Sequence, residues 1–115
     1  MKVHSTLGPG FLESVYQNAL QYELAKTDLR VVVQKPIPVL YDGVAVGDFV
    51  ADMVVNEIII IEVKAVATLA PAHEVQLVNY LSATNIDIGL LLNFGATSLQ
   101  FRRKHRTFVP AGEQV

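Results

Sequence analysis

The 115-residue chain contains no cysteine and no tryptophan. Without cysteine there is no disulfide framework, no thiol nucleophile and no thiolate metal site. Charge is scarce as well: acidic and basic residues make up 17% of the chain, and the formal net charge is −2. With a pI of about 5.8, the chain has no global attraction for nucleic acid. No apolar run approaches the ~18 residues needed to span a bilayer. The opening MKVHSTLGPG lacks the apolar core of a signal peptide. The expectation is a cytoplasmic protein with no membrane partner. The three histidines, His4, His73 and His105, lie too far apart in sequence to suggest a zinc site. No repeat, low-complexity segment or linker interrupts residues 1–115, which read as a single domain with one core.

What the chain has in quantity is apolar residues, 51% of the total. That surplus suits a globular fold and exceeds what a small free monomer needs, so part of the surface is expected to be buried in a homodimer or other homo-oligomer. The densest apolar stretch is Asn56 to Val66, NEIIIIEVKAV. A β-branched run of this kind predicts a strand buried on both faces near the centre of a sheet. Side chains alternate along a strand, so Ile58, Ile60, Glu62 and Lys64 share one face. A carboxylate and an ammonium at the end of a core strand are costly unless they pair or bind something.

The rest of the chain arranges itself around that strand. Gly8-Pro9-Gly10 predicts a helix-entry turn, followed by a helix from Phe11 to about Lys26 with Leu12, Val15, Tyr16, Ala19, Leu20 and Leu24 on one stripe. Glu13 projects onto that apolar stripe, where either the helix dipole or a functional site would account for it. Leu29–Gln34 and Ile37–Tyr41 read as two strands, the second at a sheet edge because Pro36 and Pro38 cannot donate to a ladder. Asp42-Gly43 is a two-residue hairpin signal leading into a strand from Val44 to about Val55. A turn at Asn56-Glu57 connects to the isoleucine strand. A second helix from about Pro71 to Ala83 carries an apolar stripe of Leu77, Val78 and Leu81, with His73, Gln76 and Tyr80 on another face. Asp87–Phe94 is a further buried strand, Leu99–Arg103 a short last one, and Pro110–Val115 a loose tail. The order αββββαββ predicts an α/β (α+β) fold, a mixed central sheet containing an antiparallel meander and flanked by helices.

Two groups of residues carry chemistry. Asp52 is a lone acid in the apolar string FVADMVV, one strand before Glu62 and Lys64. Pairing about Asn56-Glu57 does not by symmetry place Asp52 opposite Glu62; a bulge or a register offset is needed. If the two carboxylates converge, they form a hard-oxygen site for Mg²⁺ or Mn²⁺. Lys64, one strand period beyond Glu62, could then position or deprotonate a water. Those parts describe phosphodiester hydrolysis. The second group is Arg102, Arg103, Lys104 and Arg106, four of the nine basic residues. It reads either as a solvated terminal strand or as a phosphate-contacting patch.

Asp52 followed by Glu62-Val63-Lys64, spaced D-x9-E-x-K across a hairpin, resembles the signature of the PD-(D/E)XK nuclease superfamily, with Ala51 where many members have proline. Gly10-Phe11-Leu12-Glu13-Ser14-Val15-Tyr16 spells GxxExxY. Together with EVKA, HEVQLVNYL and GLLLNFG, it closely resembles the GxxExxY protein family of that superfamily, from about Val3 to Arg103. The resemblance implies a restriction-endonuclease-like core and a metal-dependent nuclease acting on DNA or RNA. It implies Asp52 and Glu62 as ligands of Mg²⁺ or Mn²⁺, the Val63 carbonyl as a further ligand, and Lys64 as the catalytic lysine. Glu13 would be an additional acid presented to the metal. Gln76 would be the polar helix residue of the active site, and Tyr80, one turn on, a nucleic-acid contact beside the basic cluster. The alternative is a catalytically weak or inactive nucleic-acid-binding or regulatory protein that keeps the nuclease fold; the small size and acidic pI favour it.

Overall fold

The computed structural model describes residues 2–106; the expected tail Pro110–Val115 lies outside them. Helices α1 (Lys2–Leu7) and α2 (Glu13–Leu24) precede strands β1 (Val31–Tyr41), β2 (Val44–Val55) and β3 (Ile59–Lys64). Helix α3 (Pro71–Thr84) then leads to β4 (Ile88–Asn93) and β5 (Gln100–His105). The five strands form one sheet in sequence order. β1, β2 and β3 are an antiparallel meander, β3 and β4 are parallel through the α3 crossover, and β5 returns antiparallel. This is the mixed sheet expected, with the isoleucine strand at its centre.

Two details of the order differ from expectation. The first two anticipated strands are one continuous strand, β1, because Pro36 and Pro38 fall on the same alternation of an edge strand that needs donors toward β2 only. Gln34, at φ 49°, marks the break in the apolar pattern without ending the strand. The second difference is α1, a short helix ahead of the Gly8-Pro9-Gly10 entry turn, in a segment for which no element was expected.

The sheet separates two apolar cores. On one side Tyr16 and Leu20 of α2, with Val3 of α1, pack on Met53, Val55, Ile61, Val63, Leu92 and Phe94. On the other side Leu77 and Leu81 of α3 pack on Val54, Ile60 and Leu91. The alternation along β3 therefore assigns Ile61 and Val63 to the α2 side and Ile60 and Glu62 to the α3 side. The long β1–β2 hairpin coils so strongly that residues on one alternation change sides: Val33 and Met53 lie against α2, while Ile37, Phe49 and Ala51 lie against α3. The crossing falls at Gln34 and Asp52. The hairpin tip is the two-residue turn expected, with Asp42 (φ 55°) and Gly43 (φ 76°) both left-handed as a type I′ turn demands.

The α2 stripe is narrower than its periodicity suggested. The helix starts at Glu13, not Phe11, so Leu12 stands outside it, and only Tyr16 and Leu20 are fully buried. Glu23, near the end of the helix, reaches water and pairs with Lys2 and Lys26.

Candidate active site

The register between β2 and β3 decides whether Asp52 and Glu62 meet. The connecting turn contains three residues, Asn56, Glu57 and Ile58, and the ladder starts with Val55 opposite Ile59. Asn56 (φ 51°) and Glu57 (φ 64°) are both left-handed, and the Ile58 amide bonds back to the Val55 carbonyl at 3.1 Å. The extra residue supplies the offset the sequence required. Val54 pairs with Ile60 and Met53 with Ile61, so the next position places Asp52 opposite Glu62.

At that position side chains take over from the ladder. The Asp52 amide donates to Glu62 Oε2 at 3.2 Å, and the Val63 amide donates to Asp52 Oδ2 at 2.8 Å. The β2–β3 ladder ends at Met53 and Ile61, and carboxyl oxygens take the amides beyond it. Glu62 is 9% exposed, while Asp52 and Lys64 are half-buried. Burial and then the neighbouring Asp52 charge push the Glu62 carboxyl up to about 8, against an ordinary value of 4.5; Lys64 offsets only part of this. At neutral pH, with no cation bound, Glu62 therefore keeps its proton.

That proton shows how the donor set suits a cation. Two facing acids cannot both ionise in a half-buried gap without a positive partner, and a divalent ion is a stronger partner than a proton. The Val63 peptide is bonded to the same pair through its amide, which puts its carbonyl in the same strand end. Asp52, Glu62 and the Val63 carbonyl thus fit hard-oxygen coordination completed by water. Among the described residues no group of three or more His, Cys, Asp or Glu side chains lies close enough to hold a metal by side chains alone.

Around this pair opens a cleft of about 390 Å³, lined by Glu13, Asp52, Glu62, Lys64, Gln76 and Tyr80 among others. The structure brings together all six from two helices and two strands far apart in sequence. Glu13 is exposed at the first position of α2, on the cleft rim and not on the helix's buried stripe. Its placement depends on Tyr16, which is fully buried and stacks on Phe94 with ring centroids 4.8 Å apart. The Tyr16 hydroxyl donates to the Gly8 carbonyl at 2.6 Å and accepts from the Phe11 amide at 3.1 Å. It ties down the entry turn, where Gly10 takes φ 115°. The Gly-x-x-Glu-x-x-Tyr spacing thus has a physical meaning: a turn glycine, an acid one helix position inside, and an anchor one turn on.

On the far side, Asn93 is fully buried and holds the loop after β3. Its Oδ1 accepts from the Val66 and Gly95 amides, and its Nδ2 donates to the Val66 carbonyl and to Gln100 Oε1. Any side chain at Gly95 would strike the Val66 carbonyl at 2.5 Å. This clamp fixes the backbone that carries Lys64, whose carbonyl accepts from the Phe94 amide at 2.9 Å.

The structure does not bring the basic cluster to the cleft. Lys104 and Arg102 pair with Glu74 at 3.2 and 3.9 Å, and Arg106 pairs with Asp87 at 2.9 Å. Glu74 and Gln76 point to opposite faces of α3, so that helix stands between the cluster and the acids. Arg103 is exposed on the other alternation of β5. Sequence reasoning missed four cleft residues, Val39, Asp48, Phe49 and Val50, of which Asp48 and Phe49 carry a charge and a ring. Phe49 stacks on Tyr80 with ring centroids 3.8 Å apart and planes within 18°. The only signal for Asp48 and Phe49 was a common alternation with Asp52 or Ala51 on β2.

Helices on both faces of a five-stranded mixed sheet, with a shared carboxylate pair and a lysine at the end of its central strand, define a restriction-endonuclease-like nuclease fold. The family model of the PD-(D/E)XK nuclease superfamily matches residues 1–104, and the chain belongs to that superfamily. An alkaline exonuclease, LHK-Exo from Laribacter hongkongensis, has a similar structure, with a TM-score of 0.58 and 12% identity over 82% of this chain. The protein crystallised as SSO0001 is similar too, with a TM-score of 0.63 and 17% identity over 87% of this chain. At these identities the likeness is one of fold. The matches cover 56% and 53% of those two proteins, so this chain spans about half their length. No curated protein matches the chain. Among the described residues no helix is long and apolar enough to cross a membrane.

Proposed function

We propose that the chain is a divalent-metal-dependent nuclease that hydrolyses phosphodiester bonds of nucleic acid, and that it lies in the GxxExxY branch of its superfamily. The observation that carries this reading is the placement of Asp52 opposite Glu62, with Lys64 one strand period further along the same face. Asp52, Glu62 and the Val63 carbonyl would hold Mg²⁺ or Mn²⁺. Such an ion, when bound, polarises a phosphoryl oxygen and makes a bound water more acidic. Lys64 lines the same cleft, where its ammonium would orient the attacking water and screen the charge that builds on the phosphate. Gln76 offers an amide to a phosphate oxygen or to that water, and Glu13 holds a further water at the rim. Attack of the water oxygen on phosphorus breaks one P–O ester bond and leaves a phosphomonoester and a free hydroxyl.

The test is incubation of purified protein with single- and double-stranded DNA and RNA, with Mg²⁺, Mn²⁺ or chelator. Metal-dependent cleavage that falls by about two orders of magnitude or more in Lys64→Ala is expected. Equal cleavage by that variant, or none by the wild type, would sink the reading, and retained binding without cleavage would favour a fold-retaining binding protein. The apolar surplus, with Leu40, Val44, Val46 and Val50 exposed along the β1–β2 hairpin, supports a homo-oligomer, which sedimentation equilibrium would reveal.

A further inference from the structure

We propose that the stacked Tyr80–Phe49 pair is a seat for one unpaired base, so that the substrate is a single-stranded end or flap and not the interior of a duplex. This rests on the nuclease reading and adds to it the class of nucleic acid. Phe49 is buried in the α3-side core, and Tyr80 packs against it while lining the same cleft as Asp52, Glu62 and Lys64. An aromatic ring fixed by a buried partner is a stacking surface that loses little freedom when a base settles on it. Tyr80 and the acids line one cleft, so a base on the ring would leave its phosphate on the acids' side.

Charge and size point the same way. Proteins that grip duplex DNA neutralise several phosphates at once. Here the cleft carries four acids, Glu13, Asp48, Asp52 and Glu62, against one cation, Lys64. Arg102, Lys104 and Arg106 are engaged by Glu74 and Asp87 beyond α3. A phosphate backbone running along this rim meets repulsion from Glu13 and Asp48. The cleft volume of about 390 Å³ is near the low end of small-ligand pockets, ~300–1,000 Å³. That space suits one nucleotide.

Terminal 2-aminopurine in a short single-stranded DNA tests the seat. In chelator, which withholds the metal that the proposed cleavage needs, wild-type protein should quench the fluorophore on the single strand and not on the same base inside a duplex. Tyr80→Leu should weaken single-strand binding by about tenfold while Tyr80→Phe retains it. Equal quenching or equal affinity on duplex overturns the proposal, as does unchanged affinity in a folded Tyr80→Leu protein. The wild-type comparison stands even if the leucine variant fails to fold. Cleavage in Mn²⁺ is read separately. Quenching without cleavage removes the nuclease reading and leaves the seat, whereas cleavage without quenching removes the seat and leaves the nuclease reading.

Discussion

Glu62 sits where a carboxylate is least stable alone: nearly buried, on a central strand, facing a second acid. Its raised pKa of about 8 has a consequence for the cation-free protein. Between the ordinary carboxyl value of 4.5 and about 8, the folded chain holds a proton that the unfolded chain releases. Protonation therefore contributes stability at low pH, and that contribution is lost as pH rises through about 8. Glu62→Gln keeps the shape and removes the charge. It should melt at a temperature higher than wild type, by about 3–6 °C at alkaline pH in chelator, with a flatter pH dependence, while losing activity. Thermal melts across the pH range check this. A variant that instead unfolds would mark the carboxyl as purely structural.

At the scale of elements, the site depends on two backbone devices. One is the three-residue turn after β2, which shifts the register by one and brings the acids together; a one-residue slip in a sheet sends side chains to the other face. The other is the Tyr16 anchor beneath the entry turn of α2. Tyr16→Phe deletes both hydroxyl bonds and keeps the ring stack on Phe94. It should lower stability by about 1–2 kcal/mol in urea titration. It should also depress activity only as far as Glu13→Gln does, because the acid it displaces is Glu13. The strands were legible in the sequence because their β-branched runs have no helical period, and α3 because Pro71 and Asn85 bracket a clear stripe; Asn85 does close the helix in the left-handed conformation. α1 was not legible: KVHSTL has no cap and two β-branched residues, and it is helical because Val3 docks in the core. The acid–acid–lysine spacing could be read, but the turn offset could not. Asn56 predicts a left-handed residue, whereas a second one at Glu57 runs against propensity. Phe49 escaped notice because only the coiling of the hairpin turns it toward α3.

At the scale of the whole molecule, the distribution of charge matters more than its total. The nine basic residues offset most of the eleven acidic ones, yet the cleft is acid-rich and the densest basic cluster is occupied across α3. Single-strand binding should therefore depend weakly on salt. A log–log slope of about −0.7 is expected for one phosphate contact at Lys64, against about −3 if the four clustered cations held the backbone. Fluorescence anisotropy over a salt series gives the slope.

The central claim is that two facing acids on β2 and β3 await a divalent cation. Calorimetric titration of Mn²⁺ into the protein tests it without requiring a substrate. Wild type should bind at pH about 8.5 and weaken by about tenfold per pH unit below the Glu62 pKa of about 8, as the proton competes for the same site. Asp52→Asn and Glu62→Gln should each abolish that binding. Mn²⁺ binding of wild-type strength in either variant, or none in the wild type, would contradict the account.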